Sequence, residues 1–499
     1  MVPDDNAMDD NKEIPEENQS DQPQEVKSPT FETVPVESEP VVEEAPEEVV
    51  TPESPEEPPA ELPPPVYQEN KNQYILIAGG AVVFFIIMIF VIRAIFSAGG
   101  AKKDIALTYW GLWEDKEVIQ PLIEQYQQSN PTVKINYQKM SPQSFREKLI
   151  VRSKSNQGPD IFRFHNTWVP EIREVLTPIP GSIMSNTEFE KTFYKVHQRD
   201  LKVGNYYYGL PLEIDGLVLI YNESLLKKAG ITTSPSTWDE ITDMVPRLTV
   251  KDTLGNLITS GIAMGTTTNI EHFSDIFALL LVQNGGSLDK LDQQEAAGAL
   301  EIYRKFAEEP QGYWNDAMPN SVNAFIQEKV AMIIVPSWQA MTIKTANPEI
   351  SMKIVAVPSV PGASAVSIAS YWVEGVSRFS KNQIEAWKFL RFLTEKDNMT
   401  KLYEIQSRLR PFGEPYSRVD LAPVLLQNQY LGAVIKQAND FVSMPLISRT
   451  YDNGLNDELI KYIENAINST IQGVTYGEAL KTAKAGVDQI FKKYNINTQ

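Results

Sequence analysis

The stretch Ile75–Ile92 holds eighteen residues without one charge, and it constrains the rest of the chain more than any other feature. With Tyr74 in front and residues 93–97 behind, the apolar run passes twenty residues. A helix rises about 1.5 Å per residue, so about twenty residues cross a hydrocarbon core about 30 Å thick. A buried core helix of that length would carry a polar face, and none is present. Gly79 and Gly80 are tolerated in a membrane helix, where backbone groups are satisfied within the segment. The pattern predicts a transmembrane helix over residues 74–97. It separates a tail (1–70) from a short linker (98–103) and a body (104–499).

The charge follows the same division. Residues 1–66 carry 20 Asp and Glu against Lys12 and Lys27, a net of −18, and 14 of the 34 prolines. Residues 67–499 carry the remaining 45 acids and 43 bases, a net of −2, so the body is nearly neutral beside the tail. A segment built from Glu, Pro, Val, Ser and Asp cannot bury enough apolar surface to offset the entropy of ordering, so the tail is expected to be disordered and extended. The body shows no basic face for nucleic acid. The chain has no cysteine, which excludes disulfides, thiolate metal sites, cysteine nucleophiles and a lipid-modified cysteine anchor. The apolar run starts too late and is too long for a cleavable signal peptide. Its flanks carry Lys71 before and Arg93, Lys102 and Lys103 after, which read literally puts the body in the cytoplasm.

The body alternates strand and helix patterns. Ile105–Trp110 reads as a buried strand. Residues 116–128 read as a helix with Val118, Ile119, Leu122, Ile123 and Tyr126 inward, stopped by Asn130-Pro131. Val133–Tyr137 alternates as a second strand. Ser141–Ser155 follows as a helix with Pro142 in its first turn, and Asp160–Phe164 as a third strand. That order predicts parallel pairing through right-handed crossovers. Further strands are expected at Leu217–Tyr221, Ala331–Val335 and Lys353–Val357. Helices are expected at Trp238–Leu248, His272–Gln283, Glu295–Glu308 and Ile384–Leu393, and through most of the chain beyond Asp397. The fold class is therefore α/β, and a body of about 400 residues is expected to form two lobes.

No catalytic or metal motif stands out. His165, His197 and His272 lie far apart without ligand spacing, and no phosphate loop or nucleophile elbow is present. Glu213 and Asp215 fall on one face of an extended segment, as the paired carboxylates of a glycosidase would. The aromatics are more informative: Trp110 and Trp113 follow the first strand, Trp168 the third, Trp338 follows AMIIVPS, and Tyr371-Trp372 follow SIAS. Ligands of open parallel sheets sit outside the carboxyl ends of the strands. Flat rings there, beside amides and carboxylates, suit a sugar, whose C–H face packs on an aromatic while its hydroxyls hydrogen-bond polar groups.

From about Asp104 to Tyr494 the chain resembles an extracellular solute-binding protein of the ABC importer type, in the class that includes maltose-binding protein. The matching stretches are LTYWGLWEDK…LIEQYQQSNPTVKI, GPDIFRF, YYYGLPLEIDGLVLIYNESLLKKAGI, STWDEI, LVQNGG, AFIQEKVAMIIVPSW and SKNQIEAWKFLRFLT. The resemblance implies a two-lobed α/β fold, hinged around a cleft, in a binding protein that is not an enzyme and needs no cofactor or metal. It implies sugar contacts at Trp110 and Glu114 after the first strand, at His165 and Asn166 after the third, at the acid Asp215 and at the stacking ring of Trp338. Tyr371-Trp372 replace a glycine-rich turn and are expected to narrow the cleft; Trp113, after the first strand, is a further expected binding residue. The implied partners are a small solute, carbohydrate first, an ABC permease, and the membrane through one helix, for a monomer with its body outside the cytoplasm. A membrane-anchored glycoside hydrolase and a ligand sensor of the same fold are the alternatives.

Overall fold

The computed structural model describes residues 86–89, 104–362 and 365–496. Residues 86–89 are helical; the rest of the expected span, the acidic tail and the linker lie outside the described residues. Among the described residues no helix is long and apolar enough to cross a membrane.

Strand β1 (Ile105–Gly111) opens the first lobe, and helix α1 (Lys116–Ser129) follows with Val118, Ile119, Leu122, Ile123 and Tyr126 buried, the stripe that the 3.6-residue period predicts. The amide of Asn130 closes the helix on the Tyr126 and Gln127 carbonyls. Strand β2 (Val133–Lys139) alternates buried and exposed residues at its start. Helix α2 spans Phe145–Lys154 and does not start at Ser141 with Pro142 in its first turn. Instead the Phe145 amide turns back to the Pro142 carbonyl at 3.2 Å, and Ser144 takes a left-handed φ of 54°. The fully buried Phe145 ring, packed near Trp110 and Trp168, fixes the entry point. Strand β3 (Ile161–His165) is buried throughout. After short segments the chain reaches β4 (Leu210–Pro211) and crosses through residues 213–216 to β5 (Leu217–Asn222) in the second lobe.

There, helix α3 (Trp238–Leu248) begins with a capping box between Thr237 and Glu240, which satisfies two backbone donors at its start. Helix α4 (Phe273–Gln283) is apolar nearly all round and buried from Phe273 to Leu281. Strand β6 (Met332–Pro336), helix α5 (Gln339–Ala346) and strand β7 (Met352–Val355) follow. The chain returns to the first lobe as β8 (Trp372–Val376). It ends with helices α6 (Leu455–Ile471) and α7 (Tyr476–Lys493), which pack on each other, α6 also against α4.

The first sheet has the order β2-β1-β3-β8-β4. Its first three strands are parallel, as the alternating pattern predicts, but β8 runs antiparallel to β3 and to β4. The second sheet, β6-β5-β7, is antiparallel. Between the lobes, Ser367–Ile368 pairs with Phe441–Val442, and Gly216 bridges to Ala369. A side chain at Gly216 would strike the Ile368 carbonyl and the Phe441 ring, so glycine lets these crossing segments touch.

Candidate functional site

A cavity of about 250 Å³ lies between the two sheets. On the first-lobe side its wall is Trp113, His165 and Trp372. Strand pairing sets Trp372 opposite His165, and their rings meet at 5.1 Å. Trp113 approaches Trp372 edge-on at 5.2 Å, and Trp168 backs it at 5.4 Å. His165 Nδ1 lies 2.8 Å from the Thr167 hydroxyl and Nε2 3.2 Å from that of Ser370. Burial lowers its pKa to about 3, so the imidazole is neutral and presents an aromatic edge without charge.

On the second-lobe side the wall is Asp215, Ser337, Trp338 and Met341, where β6 ends and α5 begins. Asp215 accepts from the Gly216 amide at 2.6 Å, from Ser337 at 3.3 Å and from Trp338 at 3.3 Å. A carboxylate at the start of a helix is favoured by the helix dipole, yet burial outweighs these donors and pushes its pKa up to about 7. Glu213 faces the same cavity and accepts from the Trp372 amide at 2.8 Å; burial, with the charge of Glu414 beside it, raises its pKa. Two loops complete the lining, with Arg410, Phe412 and Glu414 from one and Ser448, Arg449 and Tyr451 from the other. Burial opposes ionisation of Glu414, but Arg163 and Arg410 prevail and hold its pKa down at about 2.

An apolar cavity between two lobes, with a few aimed polar groups, is the usual form of a small-molecule site. Residues 121–414 match the family of bacterial extracellular solute-binding proteins. The chain belongs to that family. Membership of an extracellular family implies an extracytoplasmic binding domain, against the literal reading of the flanking charges. Curated relatives include a Brucella abortus binding protein, 24% identical over 379 residues, with 74% of this chain and 88% of the relative covered. The maltodextrin-binding protein of Bacillus subtilis is 24% identical over 53% of this chain and 62% of its own length. The fold is shared with a cyclo/maltodextrin-binding protein complexed with maltotetraose (TM-score 0.64, 21% identity, 79% of this chain and 99% of that one). It is shared too with the sugar-binding protein of Xanthomonas citri (TM-score 0.65, 18% identity, 78% and 98%). These solved neighbours are two-lobed α/β proteins, and so is this solute-binding protein.

Five of the nine residues expected at the site line the cavity of this solute-binding protein: Trp113, His165, Asp215, Trp338 and Trp372. The other four stand behind it. Trp110 still belongs to β1, so its ring turns inward toward Phe145 and its Nε1 donates to Gln138 at 3.1 Å. Glu114 meets Arg410 at 2.9 Å and accepts from Gln406 at 3.1 Å; burial, then the charge of Glu414, raises its pKa to about 7. Asn166 donates to Asp200 at 2.9 Å and Ser443 at 3.0 Å. Tyr371 does not narrow the cleft. Its ring is wholly buried against His197, and its hydroxyl donates to Asp200 at 2.6 Å. Successive residues of an extended chain face opposite ways, so only Trp372 of the pair reaches the cavity. Arg410, Glu414, Arg449 and Tyr451 carry no strand-end signal and were invisible in the sequence. His197 and His272 are buried and hydrogen-bonded to the Glu213 carbonyl and to Ser448 and Gln339. Among the described residues no cluster of acids and histidines is placed to hold a metal.

Proposed function

We propose that residues 104–499 capture a small carbohydrate in this cavity and deliver it to an ABC permease. Residues 74–97 then hold the chain, as a monomer, to the outer side of the membrane by a single pass, with the acidic tail at the opposite end of that helix. The observation that carries the reading is the facing of Trp113 and Trp372 by Trp338 across a cavity that also presents Asp215, Glu213 and Arg410. Rings take the C–H faces of a pyranose, and the polar groups take its hydroxyls. Contacts come from both lobes, so ligand favours whichever arrangement brings them together. The maltodextrin names among the relatives agree with it. Glu213 and Asp215 are engaged by backbone amides, as anchoring groups are, which favours binding over hydrolysis.

A thermal-shift screen of the purified protein with maltotetraose, shorter maltodextrins, other sugars, polyamines and peptides tests it. A ligand at a hundred times its Kd stabilises by about 2.7 kcal/mol, so a true sugar ligand moves the melt by several degrees. Stabilisation by a polyamine or peptide with none by any sugar would remove the carbohydrate, and steady turnover of an oligosaccharide would make the protein a hydrolase. For the topology, a reporter enzyme active only in the cytoplasm is fused to the C-terminus. Strong activity there would overturn both the orientation and the import role.

A further inference from the structure

The loop that carries Arg449 and Tyr451 to the cavity has an unusual backbone. Arg449, Tyr451 and Asn453 all adopt left-handed conformations, with φ of 60°, 56° and 46°. None is glycine, and such conformations cost roughly 1–3 kcal/mol each, so they persist only where the surroundings enforce them. Asp452, fully buried between them, accepts from the amides of Gly454 at 3.2 Å and Asn456 at 2.8 Å and from the Asn456 side chain at 2.9 Å. These bonds shape the loop but do not locate it.

What locates it comes from the other lobe. Arg146, on α2, donates through Nε to the Asp452 carbonyl at 2.6 Å and is ion-paired through Nη1 to Glu171. The same Glu171 oxygen accepts from the amide of Leu455, the first residue of α6, at 3.2 Å. A carboxyl group of the first lobe thus sits at the start of a second-lobe helix, its pKa pushed up to about 9 by burial and then by the charge of Asp452, against the pull of Arg146. Gly454 is pressed against this pair, and a side chain there would collide with the Glu171 carboxylate and the Arg146 guanidinium. Beside it, the Asn456 side chain donates to Thr167 at 2.8 Å, and Thr167 holds His165 of the cavity wall. None of Arg146, Glu171 and Asp452 lines the cavity.

We propose that Arg146 is a positioning residue which, with Glu171, clamps residues 449–455 across the two lobes and so places Tyr451 and Arg449 on the cavity wall. The consequence for affinity rests on the cavity being the ligand site. The guanidinium fork matters as much as the charge. One arm donates to Glu171 while another holds a backbone carbonyl, which a lysine ammonium cannot do in the same geometry.

Three substitutions in the full-length protein test this, Arg146→Met, Arg146→Lys and Gly454→Ala, read by amide hydrogen exchange, thermal melts and calorimetric titration with maltotetraose. Arg146→Lys is expected to melt close to wild type, yet to speed exchange at residues 449–457 about tenfold or more while the β1 and β3 amides stay protected. Maltotetraose, if wild type binds it, is then expected to dissociate about tenfold faster, since the wall is loosened and the encounter is not. Gly454→Ala is expected to do the same by pushing the loop off the clamp, and it stands in for Arg146→Met should that variant fail to fold. Unchanged exchange at 449–457 in folded Arg146→Lys and Gly454→Ala would overturn the clamp. A loosened loop with unaltered sugar affinity would overturn its consequence for binding. If wild type binds no sugar, the proposed function falls, and the exchange measurement alone decides the clamp.

Discussion

On the first-lobe side of the cavity Trp372 leans on Trp113, His165 and Trp168, with centroids 5.1 to 5.4 Å away. On the second-lobe side Trp338 has, among the described residues, one ring neighbour, His272 at 6.0 Å. One wall is a mutually braced cluster in which each ring fixes the next. The other is a single ring set by the turn between β6 and α5, with Asp215 pinning the same turn through its amides. The braced wall arises because β8 pairs with β3 and the loop after β1 opens beside them, so three separate stretches deliver rings to one place. The single ring has only local support. Under the proposed function a side chain in the cluster would serve folding and binding together, whereas Trp338 would serve binding alone.

The comparison breaks most visibly at Trp372. Trp372→Ala opens a void among three rings, and large-to-small changes in such packing cost about 3–5 kcal/mol of stability. The unfolding free energy from urea titration is expected to fall by that amount, with sugar binding lost as well. A variant as stable as wild type would mean the braced wall is not a cluster in energetic terms. Trp338→Ala sharpens the contrast. It is expected to weaken binding by about 2 kcal/mol or more, roughly thirty-fold, while the melt stays within about 1 kcal/mol of wild type. Calorimetry beside thermal melts separates the two, and an early melt with unaltered binding would move Trp338 into the core.

A pH-dependent effect concerns the turn beneath Trp338. Asp215 titrates near 7 when folded, against an ordinary value of 3.8. Its proton is therefore held more tightly in the folded state. The stability that this contributes is complete below about pH 4 and is lost as pH rises to about 7. Asp215→Asn removes the titration, so wild type should lose stability relative to the variant across that window, by up to about 1.4 kcal/mol per pH unit. Urea titrations at pH 4, 5.5 and 7 measure it. A constant difference between the two proteins would show that the three backbone donors, not burial, govern this carboxyl.

The parts of the site that could be read in advance are those governed by repeating geometry. Val118, Ile119, Leu122, Ile123 and Tyr126 recur at helical spacing, and β1, β2 and β3 alternate with helices, so the parallel core of the first lobe follows from the sequence. Trp113, Trp338 and Trp372 were found because each lies just beyond a strand or at its first residue. The same reasoning overreached at Trp110, since β1 runs one residue further than expected and keeps that ring inside. It overreached at Tyr371 because adjacent residues point apart. Nothing periodic marks Arg410, Glu414, Arg449 or Tyr451. Their direction depends on left-handed backbone, on β8 inserting antiparallel beside β3, and on contacts such as that of Arg146 with Asp452, 306 positions along the chain.

Gly216 has a mechanical consequence. Where the crossing segments lie with Gly216 against Ala369, and Ser367–Ile368 against Phe441–Val442, the connection between the lobes resembles a flexure, several thin strips side by side. Strips so arranged bend readily about the axis across them and resist both shear and twist. This geometry predicts one easy rotation between the lobes, with the opposing rings approaching along a fixed arc. A side chain at Gly216 would act as a wedge between the strips and tilt that arc. Its expected signature is misalignment of Trp338 with Trp372, although no atom near the ligand has changed.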